Sequence, residues 1–251
     1  MRRVRRLERT RALGVVVPVH DEQDLVSTAL EALSDSLHDV RAFKIACEVV
    51  VVLDACVDES ARLAADWRRR HAQRSDVGVS LVTCDARNVG IARGLGCAVA
   101  LDMLGDIDPA RVWLATTDAD SRVPRRWLRS QLLRHEEGRD VWAGRVGVTD
   151  WSPHRRVPQT MWQDDYDSEH QPIHGANLGF NAGLYLAAGG FPPYRTGEDR
   201  SLVREMVARG ADCWFDDSLR VVTSARRVAR APQGFAHALN LIEASASLRS
   251  D

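Results

Sequence analysis

The sequence predicts an α/β protein in which a mostly parallel sheet carries helices on both faces. Three observations predict it: short β-branched runs alternate four times with stretches of helical period, the linkers between them are short, and the runs are apolar throughout, as in strands buried on both faces. A chain of 251 residues with 45% hydrophobic content can bury one sizeable core. A single domain over residues 13–222 is therefore expected, between a basic, disordered leader at 1–12 and an Arg/Ala-rich tail at 223–251.

The first strand is Leu13–Val19, and Pro18, which has no N–H for a ladder, marks a strand terminus or edge. His20-Asp21-Glu22-Gln23-Asp24 is expected to open a helix through about Leu37, with acidic residues where the helix dipole favours them. Leu25, Ala29, Leu30 and Leu33 give that helix an apolar stripe. The second strand, Glu48–Leu53, ends on Asp54, and Asp58 and Glu59 start a helix to about His71. Val79–Thr83 leads through Arg87-Asn88-Val89-Gly90 into a helix to about Leu104. The fourth strand, Val112–Thr117, runs straight into Asp118-Ala119-Asp120.

Beyond a helix that begins near Pro124 the alternation loosens. Val141–Val148 reads as a strand, and Thr149–Pro172 as a long polar loop holding Trp151, Trp162 and Tyr166. A loop of that length is usually functional or mobile. Ala176–Phe180 reads as a short strand and Ala182–Ala188 as a short helix stopped by Gly189-Gly190. Gly197-Glu198-Asp199 opens a helix through Ala208, and Cys213–Phe215 and Leu219–Val222 read as two short terminal strands.

Composition excludes several function classes. A net charge of -1 gives no case for a nucleic-acid partner. The basic leader has no apolar segment behind it and is not a signal peptide; peripheral attraction to an anionic membrane is its alternative reading. No apolar run approaches the roughly 20 residues of a membrane span. Five cysteines without a C-x-x-C pair fit a reducing cytoplasm. The dinucleotide fingerprint, the P-loop and the serine-hydrolase elbow are all missing, and Gly90–Gly96 is glycine-rich with the wrong spacing.

Four acidic positions follow apolar runs or open helices: Asp21/Glu22, Asp54, Asp118/Asp120 and Glu198/Asp199. If the first, second and fourth strands are parallel neighbours, the first three groups meet at one rim of the sheet, where ligands of open α/β folds sit. Carboxylates there offer hard oxygen ligands to Mg²⁺ or Mn²⁺ and, with Arg87, Arg93 or the tail arginines, suit a phosphorylated ligand. The plainer reading is that Asp21, Glu22 and Glu198 only cap helices.

The order of these motifs resembles the family 2 glycosyltransferases. Val15–Glu22 is similar to their opening signature, Val51–Asp58 to the second-strand signature, and Asn88–Arg93 to the Asn-x-Gly-x-Ala segment. Asp118-Ala119-Asp120 with Pro124 resembles their D-x-D, and Gly175–Phe180, Gly189-Gly190-Phe191 and Gly197-Glu198-Asp199 their acceptor-side segments. The resemblance implies a GT-A fold, a Rossmann-like sheet with a smaller acceptor-side mixed sheet. It implies inverting transfer from a UDP-, GDP- or dTDP-linked sugar to an acceptor hydroxyl, with Mg²⁺ or Mn²⁺ as cofactor.

By the same resemblance Asp199 is the general base, Glu198 orients the acceptor or anchors the helix, and Asp118 and Asp120 hold the metal. Pro18, His20, Glu22, Asp54, Asn88 and Arg93 line the nucleotide-sugar pocket, Asp54 reading the base. Asn177, Trp151 and His174 are candidates for the acceptor. The sequence departs from the pattern in Asp21, where Asn is commoner, and in Cys56, where Gly or Ser is usual. Thr223-Ser224-Ala225-Arg226-Arg227 stands where some relatives place a His ligand, which suggests Arg226 or Arg227 on the diphosphate. A nucleotidyltransferase of related fold and a catalytically silent nucleotide-sugar-binding protein are the rival readings. The first would carry a glycine-rich loop where this chain has His20-Asp21-Glu22.

Overall fold

Four parallel strands form the first half of the sheet: β1 (Ala12–Val19), β2 (Ala46–Asp54), β3 (Gly78–Cys84) and β4 (Val112–Thr116), in spatial order β3-β2-β1-β4. The computed structural model describes residues 7–72, 77–148 and 173–224. Beyond β4 the same sheet continues through β6 (Leu178–Asn181), β5 (Val141–Val148) and β7 (Cys213–Thr223). β6 runs antiparallel to both β4 and β5, and β7 is parallel to β5, so the mixed part extends the parallel part without a break.

Period two explains the layers. Leu13, Val15, Val17 and Val19 of β1 point into one core with α1 (Val26–Val40), α2 (Ser60–Ala72) and α4 (Trp127–Glu136). Val16, with Val50, Val52 and Leu114, points into the other, under α3 (Val89–Leu104), α5 (Ala182–Ala187) and α6 (Glu198–Ala208). Both faces are covered, which is why the strands read as unbroken apolar runs. Gly96 lets α3 lie against the sheet, because a methyl group there would overlap Val16 and Val52. Burial pushes the Cys47, Cys97 and Cys213 thiols up to about 12, as befits packing residues. Among the described residues no helix is long and apolar enough to cross a membrane.

Three expectations are corrected. α1 begins at Val26 rather than at the acidic stretch, which stays a loop with no acidic residue in the first helical turn. Asp21 adopts a left-handed conformation (φ 51°) and spends its carboxylate across the sheet, where Oδ1 accepts from the N–H of Val57 at 2.7 Å and of Asp58 at 3.3 Å. The two terminal strands are one, β7, whose polar Asp216-Asp217-Ser218 lies at an irregularity in its pairing with β5 between Gly144 and Val146. The leader is anchored from Leu7 onward. Leu7 is buried, and the Glu136 carboxylate at the end of α4 accepts from the N–H groups of Glu8, Arg9 and Thr10. The loop at 149–172, with Trp151, Trp162 and Tyr166, and the tail from 225 lie outside the described residues.

Candidate active site

The carboxyl ends of β2, β1 and β4 lie side by side, so the loops after them share one rim. Hydrogen bonds stitch the first two loops together. Besides the Asp21 contacts, Asp58 Oδ2 accepts from Gln23 N–H at 3.0 Å, and the Ser60 hydroxyl accepts from Glu22 N–H at 2.7 Å. His20 Nδ1 lies 2.6 Å from the Asp54 carbonyl oxygen. The buried Asp54 carboxylate in turn shapes the loop after β3, accepting from the N–H groups of Ala86, Arg87 and Asn88 at 2.7–2.8 Å. Asn88 then caps α3 through Ile91 N–H. Asp21, Ala55 and Arg87 (φ 51°, 52° and 47°) each follow one of β1, β2 and β3 in left-handed backbone. Each costs roughly 1–2 kcal/mol, and such strain gathers where function requires it.

The fourth loop carries Asp118 and Asp120. Asp120 Oδ1 accepts from the Ser121 hydroxyl at 3.0 Å and lies 3.4 Å from that of Thr223, at the end of β7. Paired backbone bonds between Arg122 and Val222 hold β7 to this loop. The last strand thus returns to Asp120 and brings the Thr223 hydroxyl beside it.

Arg93 occupies the centre. It projects from the first turns of α3, is only 3% exposed, and reaches Asp118 Oδ1 through Nη2 at 2.5 Å and Glu198 through Nη1. Burial works against its charge, but Asp118, Glu198 and Asp199 together hold its pKa above the usual range. Burial raises the pKa of Glu198, helped by Asp199 and opposed by Arg93. Gly197 (φ 80°) turns the chain into α6, so Glu198 and Asp199 sit in the first helical turn. Asp199 is half-buried; Oδ2 accepts from Gly175 N–H at 2.7 Å and Oδ1 from Arg200 N–H at 2.7 Å. Each oxygen keeps a lone pair for a further donor.

This architecture has known relatives. Residues 14–190 match the family model described as Glycosyl transferase family 2. The chain belongs to that family. No curated protein matches the sequence. Among solved structures, the mannosyltransferase PcManGT from Pyrobaculum calidifontis, in complex with GDP-Man and Mn²⁺, is 20% identical with a TM-score of 0.63 over 96% of this chain and 63% of its own. S. aureus TarS 1–349 in complex with UDP is 15% identical with a TM-score of 0.61, over 94% of this chain and 65% of its own. Glucosyl-3-phosphoglycerate synthase from Mycobacterium tuberculosis, in complex with Mn²⁺, UDP and glucosyl-3-phosphoglycerate, is 15% identical with a TM-score of 0.58, over 94% of this chain and 80% of its own. The chain thus spans less than two thirds of the first two proteins. The likeness establishes the GT-A fold.

Within that fold the structure gathers Asp118, Glu198 and Asp199 around Arg93, with Asp120 two residues from Asp118. His20 and Asn88 bind to the neighbouring loops, and Pro18 lies in β1 beyond the last residue paired with β4. Glu22 is buried beside Ser60. Asn177 requires correction as an acceptor contact. It is fully buried, its Oδ1 accepts from the indoles of Trp127 (2.8 Å) and Trp142 (3.1 Å), and its Nδ2 donates to the carbonyls of Arg145 and Leu219. Gly144 leaves room for it, since a methyl group there would overlap the amide. Asn177→Ala is expected to lower stability by about 3 kcal/mol, because two indole N–H groups lose their acceptor; urea unfolding reads the loss. Trp151, Arg226 and Arg227 lie outside the described residues.

The donor set fits a hard divalent cation. Among the described residues no three His, Cys, Asp or Glu side chains converge as a closed metal cage. Mg²⁺ and Mn²⁺ on nucleotides need only one or two carboxylates, with phosphates and waters completing the shell. Asp118 and Asp120 are two carboxylates of that kind, and the carboxylates around Arg93 outnumber its single positive charge. Gly175 stands in one of the acceptor-side segments, but nothing in the sequence marks the bond from its N–H to Asp199 or the one from the Thr116 hydroxyl to its carbonyl.

Proposed function

We propose that the protein transfers a sugar from a nucleoside-diphosphate donor to an acceptor hydroxyl, with inversion and with Mg²⁺ or Mn²⁺ as cofactor. The observation that carries this reading is that one buried guanidinium, Arg93, joins the D-x-D carboxylate Asp118 to Glu198, which opens α6 beside Asp199. The D-x-D and the helix start that carries Asp199 are therefore tied together through a single side chain. The bound cation would neutralise the diphosphate as it departs.

Each half of the chemistry has its residues. The loops of His20, Glu22, Asp54 and Asn88 form the wall for the nucleoside, and Asp118 and Asp120 would hold the cation at the end of β4. Asp199 takes the proton from the attacking hydroxyl, and Glu198 holds Arg93. The family membership, and the UDP, GDP-Man, Mn²⁺ and Mg²⁺ in the complexes of the related structures, support the reading.

A thermal-shift screen of UDP-, GDP- and dTDP-sugars, each with Mn²⁺ and with a chelator, tests it. One donor class is expected to raise Tm by several degrees with the metal present, as ligand linkage at about 100 times Kd adds roughly 2.7 kcal/mol. Absence of a shift with every donor would defeat the reading. A shift without sugar release to any acceptor would favour the silent binding protein.

A further inference from the structure

Gly175 stands at the junction of the site. Its N–H donates to Asp199 Oδ2 at 2.7 Å, and its carbonyl accepts from the Thr116 hydroxyl, at the end of β4, at 2.6 Å. On its open side lies Arg93: a methyl group on Gly175 would overlap the guanidinium carbon and both terminal nitrogens. Backbone strain plays no part, since Gly175 is not among the glycines of positive φ. The requirement is space. Among the described residues the buried Nε of that guanidinium has no hydrogen-bond partner. The register of the guanidinium thus depends on Asp118, Glu198 and the bare face of Gly175.

We propose that Gly175 is a positioning residue that, by admitting the Arg93 guanidinium against its α-carbon, fixes Asp199 relative to Asp118; this rests on the glycosyl-transfer reading above. A side chain at 175 forces one of two displacements. Arg93 withdraws from its two carboxylates, or the backbone of residue 175 moves and carries the N–H that holds Asp199. Because Thr116 pins the carbonyl that follows the α-carbon, such a movement turns the preceding peptide, whose N–H holds Asp199, and re-aims the base. Misplacement by about 1 Å costs on the order of 100-fold in rate.

The test is a double-mutant cycle on the full chain with Gly175→Ala, Arg93→Lys and the pair, read by steady-state kinetics and by calorimetry with nucleotide and Mn²⁺. Gly175→Ala is expected to lower kcat about 100-fold with donor KM within about threefold, the split that marks lost transition-state geometry. Arg93→Lys lowers kcat as well, since an ammonium cannot span two carboxylates as a planar fork does. The lysine frees the space opposite residue 175, so alanine in that background is expected to cost less than about threefold more. If Gly175→Ala alone does not fold, the comparison of the pair with Arg93→Lys decides. Undiminished kcat in Gly175→Ala, a change confined to KM, or multiplicative losses in the pair overturn the proposal. A wild-type protein that turns over no donor defeats the underlying reading; wild-type turnover with an undiminished alanine variant defeats the positioning role alone.

Discussion

Asp199→Asn is expected to lower kcat by about 10²–10⁴-fold, the range that a positioned general base contributes. The substitution is nearly isosteric; the amide oxygen can still accept from Gly175 N–H, while the exposed Arg200 N–H exchanges the other carboxylate oxygen for water, so the loss falls on the chemistry more than on the fold. What is lost is the second lone pair of a charged oxygen, the group that takes the proton of the acceptor. Nucleotide affinity should stay within about threefold, because Asp199 contributes nothing specific to the donor side. Initial rates of sugar transfer, alongside calorimetry with the nucleotide and Mn²⁺, separate the two effects. A variant that retains the wild-type rate would place the base elsewhere.

Asp120→Ala acts on the other half. Even an outer-shell partner of a metal site typically costs 10–100-fold in affinity, so removing a direct ligand should weaken metal-dependent nucleotide binding by at least about tenfold. Asp118 cannot replace it, since one of its oxygens is held by Arg93. Alanine also strands the Ser121 hydroxyl, which can turn to Thr223, already 3.0 Å away, so the fold is preserved. Calorimetry with nucleotide, Mn²⁺ and then chelator reads the outcome. Equal affinities for the wild type with and without metal would remove Asp120 from any metal site.

Much of the architecture was legible because it rests on periodicity. The valines of β1 and β2, apolar at every position, could only be strands with both faces covered, and three of the four rim loops followed from that. The errors arise where a local pattern has two physical uses. His20–Asp24 carries every mark of a helix start, yet Asp21 satisfies backbone groups of a different loop, a contact 36 residues away. Asp216-Asp217-Ser218 looks like a break between strands, but the Asp216 carboxylate folds the irregularity by accepting from Ser218 and Leu219 N–H. Asn177 sits in a glycine-bearing motif like a ligand contact and is instead the hydrogen-bond hub of two tryptophans. The site carboxylates were visible as types in order. Arg93 was marked for the nucleotide-sugar pocket, but its place between Asp118 and Glu198 was not legible, because only the packing of α3 against α6 brings residues 93 and 198 together.

The reversed strand β6 has a consequence for how the protein is made. β4 pairs with β1 on one side, and its other side stays open until Leu178–Asn181 emerges, some sixty residues later. At about 5–20 residues per second of synthesis that wait is on the order of several seconds. During it Val112–Thr116, five residues wholly buried in the finished fold, form a bare sheet edge able to pair with another nascent chain. The parallel half of the sheet is therefore synthesised with its β4 edge still open, and one four-residue strand closes that edge.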